Sequence, residues 1–253
     1  MRNVAAIALK ELRSYFTSPI AYIIIGFFLL PFGGFFYLYL ADFVKNSMGE
    51  AQFGGAMNIN QQVIRGVLQN ASVIILFVMP MITMRTYSEE KRSGTMELLL
   101  TSPVTDVEII LGKFIGALGL YAALLACTLA YMAILFVFGN PEWRPLVAAY
   151  LGLLLMGSAF ISLGLLISST TNNQIVAGVI TFVVFLMLWI VGWFSESAGP
   201  TMGKVLSWLS ITQHFDDFSK GVIDTSHMLY YLSLITFGLF LTAKSVDTER
   251  WRG

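Results

Sequence analysis

The feature that most limits this chain is the run of 22 residues at positions 20–41, which contains no charged side chain. At 1.5 Å per residue, a helix of that length crosses a hydrocarbon core of about 30 Å. Five more apolar runs follow, at 66–84, 109–138, 146–167, 175–194 and 228–243. The expected fold is therefore an all-α polytopic membrane protein with six transmembrane helices. Composition agrees: 57% of residues are hydrophobic and 12% charged, against roughly 25% charged in soluble domains. Formal net charge is zero, so only the distribution of charge along the chain can say anything about partners or orientation, and no nucleic-acid footprint is present.

The segments between the runs fill in the plan. Residues 1–18 read as an amphipathic helix lying in the membrane interface, with Val4, Ala8, Leu12, Tyr15 and Phe16 on one face and Lys10, Glu11, Arg13 and Ser14 largely opposite. A signal-peptide layout is absent there, so the first span is expected to stay in the mature protein. Pro31 with Gly33 and Gly34 predicts a bend in the first span, and Pro80 another near the end of the second. Residues 42–65 are polar and rich in Gly, Asn and Gln, and read as a loop. Residues 139–145 and 168–174 are short turns, which makes spans three, four and five antiparallel neighbours. Gly157, Ser158, Ala159, Ser162 and Gly164 suit close helix packing in span four. Residues 195–227 are polar but keep apolar positions near helical spacing, which predicts two short helices on or dipping into the interface, with breaks at Gly199-Pro200 and over Ser210 to Gln213. A polar tail, 245–253, closes the chain.

Six spans put both termini on one side. That side holds Arg2, Lys10, Arg13, Arg85, Lys91, Arg92, Lys113, Lys244, Arg250 and Arg252, and the other holds Lys45, Arg65, Arg144, Lys204 and Lys220. The excess of Lys and Arg predicts cytoplasmic termini. Lys113 stands at the edge of span three, where its stem could carry the ammonium to the terminal side. Cys127 is the only cysteine and lies in an apolar run, which excludes an intramolecular disulfide or a cysteine metal cluster. His214, Asp216, Asp217, Asp224 and His227 lack the ligand spacing of a metal site, and none is assigned. No hydroxyl of 168–173 has an activating partner nearby in sequence, so no catalytic group is expected.

The densest charge lies at 85–103, between spans two and three: Arg-Thr-Tyr-Ser-Glu-Glu-Lys-Arg-Ser-Gly-Thr-Met-Glu-Leu-Leu-Leu-Thr-Ser-Pro. Thr95 can cap a short helix, Gly94 allows a sharp entry, Glu97 favours the positive helix end, and Pro103 ends it. Met96, Leu98, Leu99 and Leu100 are too apolar for a solvated loop and too few for a span. They fit either a partner groove or the lipid headgroups. The same residues, with paired Glu89-Glu90, Gly94-Thr95, Glu97 before the leucines and Ser102-Pro103, resemble the coupling segment of ABC-2 type transporter permeases, and the resemblance extends over nearly the whole chain. Within that family the chain is similar to small permeases of the gliding-motility and nitrous-oxide-reductase-maturation types.

The resemblance implies a multi-pass permease subunit of an ABC exporter in a bacterial inner membrane, pairing with itself or a homologous permease among membrane lipids. It implies that 1–18 is the elbow helix and 88–103 the coupling region. It also implies that an ABC ATPase subunit binds ATP and Mg, since no Gly-x-x-x-x-Gly-Lys-Ser/Thr loop occurs in this sequence. Glu89, Glu90, Gly94, Thr95, Glu97, Leu98, Leu99, Leu100 and Pro103 would then couple to the ATPase, and His214, Phe215 and Phe218 would belong to an external gate. The alternative is a membrane scaffold that recruits a soluble partner through the same helix without transport.

Overall fold

The computed structural model describes residues 2–50, 58–96 and 104–250. Helix α1, Arg2–Thr17, precedes α2, Pro19–Glu50. A π-helical turn, Asn60–Ile64, leads into α3, Arg65–Thr83, and a six-residue helix α4, Ser88–Ser93, follows. Then come α5, Asp106–Phe138, α6, Trp143–Thr170, and α7, Gln174–Ser197. Two short helices, α8, Pro200–Leu209, and α9, Ile211–Ser219, precede α10, Thr225–Arg250. No strand occurs among the described residues, and six helices are long and apolar enough to cross a membrane.

Helices α3 and α6 form the centre. They are the most buried of the six, while α2, α7 and α10 keep most of their surface exposed. Helix α10 packs on α6, α2 on α3 and α5, and α7 on both central helices. The small residues of α6 allow this. A Cβ on Gly157 would stand 2.2 Å from the Tyr121 ring of α5, so that ring fits only because the position is glycine. Tyr121 in turn donates to the Leu153 carbonyl at 2.7 Å, satisfying its hydroxyl within the core.

Two segments differ from the sequence reading. Residues 42–50, read as loop, continue α2, because extending an existing helix costs far less than starting one. The Asn46 amide donates to Asp42 one turn back at 3.2 Å. At the other end of the expected loop, the turn at Asn60–Ile64 is held by reciprocal bonds. The Asn60 amide donates to the Glu142 carbonyl at 3.3 Å, and the Glu142 N–H donates to Asn60 Oδ1 at 3.1 Å. Helices α2 and α3 run through Pro31 and Pro80, and α10 continues past the apolar run to Arg250.

Helix α1 docks on the first turns of α5. Asn3 donates to Glu108, Ile7 covers Gly112 and Glu11 covers Gly116. Each step of four on one helix matches a step of four on the other, so the two run in the same direction. Cβ atoms at Gly112 and Gly116 would each stand 2.6 Å from α1 side chains, so glycine brings the helices close. The start of α5 is fixed by a capping box: Thr105 Oγ1 accepts from the Glu108 N–H, and Glu108 accepts from the Thr105 N–H.

Candidate functional site

The charged stretch folds locally for reasons visible in its residues. After α3, Thr86 Oγ1 donates to the Thr83 carbonyl at 3.0 Å, turning the chain into α4. Glu89 and Glu90 occupy the first turn of α4 and Lys91 and Arg92 the last, each sign at the helix end that favours it. Gly94 ends the helix at φ 71°. The Thr95 N–H reaches the Glu90 carbonyl at 3.0 Å and the Gly94 N–H the Lys91 carbonyl at 3.3 Å. This is the Schellman closure, which needs a left-handed residue and so favours glycine.

Beneath α4 lies a buried ammonium. The Lys113 side chain is 1% exposed. Its Nζ is 2.8 Å from Glu90 Oε1, 3.1 Å from Glu11 Oε1 and 2.8 Å from the Thr86 carbonyl, and it stands 5.0 Å from the centre of the buried Tyr87 ring. All three N–H donors therefore have acceptors. A charge this deep is tolerated only when paired and fully hydrogen-bonded. The second carboxylate is partly offset by Lys10, 3.9 Å from Glu90. One side chain of α5 thus joins α1, the turn after α3, and α4.

A second set of bonds ties α4 to the other end of the chain. The Lys91 ammonium donates to the Ser169 carbonyl at the end of α6 and pairs with Glu249 on α10. Ser168 Oγ accepts the N–H groups of Tyr87 and Ser88 at 3.1 and 3.2 Å, and donates to the Met84 carbonyl at 3.2 Å. Ser169 Oγ donates to Ser245 Oγ at 2.9 Å. On the far side the Tyr15 hydroxyl donates to the Ile82 carbonyl at 2.9 Å, and burial raises the pKa of that phenol. Six residues of helix are therefore fastened to α1, α5, α6 and α10, and they follow directly from α3.

Glu89 and Glu90 play different parts. Glu89 stays on the surface, paired with Arg85 at 2.8 Å, whereas Glu90 turns into the bundle toward Lys113. Gly94, read as the entry to a following helix, is the exit of α4. Thr95 is exposed, its hydroxyl 2.9 Å from Ser93 Oγ, and Met96 is helical and buried. Glu97, Leu98, Leu99, Leu100 and Pro103 lie outside the described residues. The sequence reading places Lys113 at the terminal-side surface and assigns no role in this site to Glu11, Lys91, Ser168 or Glu249. The signal for Lys113 was its isolation: a lone charge in an apolar run needs a partner.

The opposite end of the bundle carries a second polar cluster. Asp216 accepts from Arg65 and Gln69, both at 2.9 Å, and pairs with Lys220 at 2.5 Å. Burial pushes the Asp216 carboxyl up, but bonds from Lys220 and Arg65 outweigh it and hold the group below the usual range. The hydrogen bond from His227, helped by Lys220, lowers Asp217 as well. The Lys220 ammonium is raised by its bonds to Asp216 and Asp217. His214, Phe215 and Phe218 of the same helix are buried, the two phenylalanines against Gly152 of α6 and His214 with its ring stacked 3.8 Å from that of Tyr230. Between α3 and α7 at this level opens a cleft of about 390 Å³ lined by Gln69, Asn70, Trp189, Trp193, Thr212 and Asp216, with aromatic and amide groups side by side.

The sequence has counterparts among known proteins. The family described as ABC-2 family transporter protein matches residues 5–244. The chain is also 28% identical over 144 residues to a probable multidrug ABC transporter permease, YbhR, of Escherichia coli K12, and equally to that of Escherichia coli O157:H7. Those alignments cover 56% of this chain and 38% of each relative, so the matched region spans about two-fifths of the curated relatives' length. With the family matched from the first helix to the last span, the chain belongs to the ABC-2 family of transporter proteins, as a membrane permease.

Proposed function

We propose that this chain is the membrane half of an ATP-driven exporter, pairing with a second permease and taking its energy from a separate ABC ATPase subunit that docks on the terminal face. Both termini and α4 lie in the cytoplasm of a bacterial inner membrane in this reading, supported by the ten-to-five partition of Lys and Arg. The observation that carries it is the fastening of α4. A partner gripping residues 95–103 would act on a helix already bonded to α1, α5, α6 and α10, so its closure would move spans together. Nucleotide must then favour one arrangement of the ATPase, and this contact makes the membrane part share that preference. Leu98, Leu99 and Leu100 fill the partner groove, with Glu89 and Glu97 setting its polarity.

The relatives' multidrug designation supports an amphiphilic cargo, and the cleft of Trp189, Trp193, Gln69 and Asn70 offers such a molecule both ring faces and amide groups. The test is co-purification. With an ABC ATPase subunit from the same genome, the wild-type chain is expected to form a stable complex whose ATP hydrolysis it stimulates, and Leu98→Asp with Leu99→Asp is expected to lose both. A variant that still binds and stimulates like the wild type refutes the docking role.

A further inference from the structure

The chain contains two histidines, and the fold brings them together. His214 Nδ1 and His227 Nδ1 are 2.6 Å apart. On the far side of each ring, His214 Nε2 lies 2.9 Å from the Trp208 carbonyl and His227 Nε2 lies 2.9 Å from Asp217 Oδ2. A half-turn of either ring would put a carbon 2.6 Å from a nitrogen, well inside van der Waals contact, and would remove one of the outer bonds. The nitrogens therefore face each other.

The outer bonds fix the proton count. A carbonyl can only accept, so His214 Nε2 carries a hydrogen. The Asp217 carboxylate, held ionised by its neighbours, also accepts, so His227 Nε2 carries one. Were both rings neutral, each Nδ1 would be a bare lone pair, and two lone pairs would meet at hydrogen-bond distance. We propose that His214 and His227 form a site that binds a single proton between their Nδ1 atoms, and that this proton ties α9 to the sixth span, α10, at the end of the bundle away from the termini.

The same chemistry sets when the tie exists. A second proton makes two imidazolium rings that repel, and loss of the first leaves two facing lone pairs, so the contact fails on both sides of a pH window. The surrounding groups bias it toward one proton. Asp217 bonds His227 and is itself shared with Lys220 at 3.3 Å; Lys220 also pairs with Asp216, which holds Arg65 of α3. On α10 the phenols of Tyr230 and Tyr231 donate to the Leu209 and Ile211 carbonyls, Tyr121 of α5 stands behind Tyr231, and Asp224 caps Ser226. Helix α6 meets α9 through Gly152 against Phe218 and Phe215, and α7 through Gly192 against Ser210 and Thr212. Burial, with His227 close by, keeps His214 below its ordinary 6.5 against the pull of Trp208 and Asp217.

Nitrogen NMR on the full chain in lipid nanodiscs, labelled at the imidazoles and carrying a tag without histidine, tests this with two residues' signals. At mid-window the expected result is a far-downfield shared proton with coupling between the two Nδ1 nuclei. Both should vanish at lower and at higher pH, together with amide-exchange protection of α9. In His227→Gln the coupling disappears and His214 titrates as a single group. Two rings that titrate independently, with no coupling at any pH, or protection of α9 that changes in one direction only, overturn the proposal. The wild-type spectra decide it even if the variant fails to fold.

Discussion

The two ends of the bundle are both held by ion pairs and behave differently. At the terminal end Lys113 meets Glu11 and Glu90 with its side chain 1% exposed and theirs 15% and 17%. At the opposite end Arg65, Asp216, Asp217 and Lys220 have side chains 34–42% exposed. Buried pairs are screened little and fail badly when one member is removed, whereas exposed pairs are weak and water replaces them. The terminal cluster is therefore a joint that keeps its shape, and the opposite cluster is a set of contacts that conditions can loosen. In the proposed function, rigidity belongs where force enters and adjustability where the pathway opens.

Removing the centre of the rigid end should have the largest effect. Lys113→Met leaves Glu11 and Glu90 facing each other with only the exposed Lys10, 3.9 Å from Glu90, as a nearby cation, and a loss of about 3–5 kcal/mol is expected, seen as a large drop in thermal unfolding temperature in detergent. A variant as stable as the wild type would show that the ammonium does not hold the joint. Lys91→Ala should cost less, about 1.5 kcal/mol, because Glu249 is 36% exposed and water can take over its bonds. Chemical denaturation with a probe on α10 measures this, and an effect equal to that of Lys113→Met would erase the distinction between the two attachments.

The smallest effects should come from the opposite end. Lys220→Ala is expected to change stability by less than about 1 kcal/mol, read by the same denaturation. Acid should act there in two steps. The His214 pKa in the fold lies below 6.5, so the unfolded chain binds more protons just below that pH and stability falls as the pH drops from 6.5. The lowered carboxyls of Asp216 and Asp217 contribute stability that is present above about 3.8 and is lost as the pH falls through their folded values. Exchange protection of α9 followed from pH 7 to 3 checks both steps. Protection that rises as the pH falls below 6.5 contradicts the signs.

The spans are legible because a membrane permits little besides long apolar helices, whereas the break expected over 210–213 shrinks to Ser210, whose hydroxyl accepts the Gln213 N–H and starts α9 at Ile211. Residues 42–50 are polar, which suggests irregular structure, yet they are helical because a helix leaving the membrane needs no apolar residues to continue. Within the candidate site, the acidic pair Glu89-Glu90 was found from sequence, but not that one faces water and the other a lysine 23 residues away. Contacts such as Lys113 with Glu11 and Lys91 with Glu249 depend on which helices become neighbours, and no local pattern carries that information. The histidine pair was hidden for the same reason, since 13 residues and a turn separate two rings that the packing of α9 on α10 brings together.

The most direct test of α4 as the joint between partner and spans uses Glu90→Gln. This change is isosteric, keeps the surface of residues 95–103, and weakens the grip on Lys113. In proteoliposomes containing the permease and its ATPase, the complex is expected to remain assembled and to hydrolyse ATP while transport per ATP falls by about tenfold, equivalent to about 1.4 kcal/mol of lost coupling. Unchanged transport per ATP in the intact complex would contradict the role of the Glu90–Lys113 contact in carrying force into the membrane.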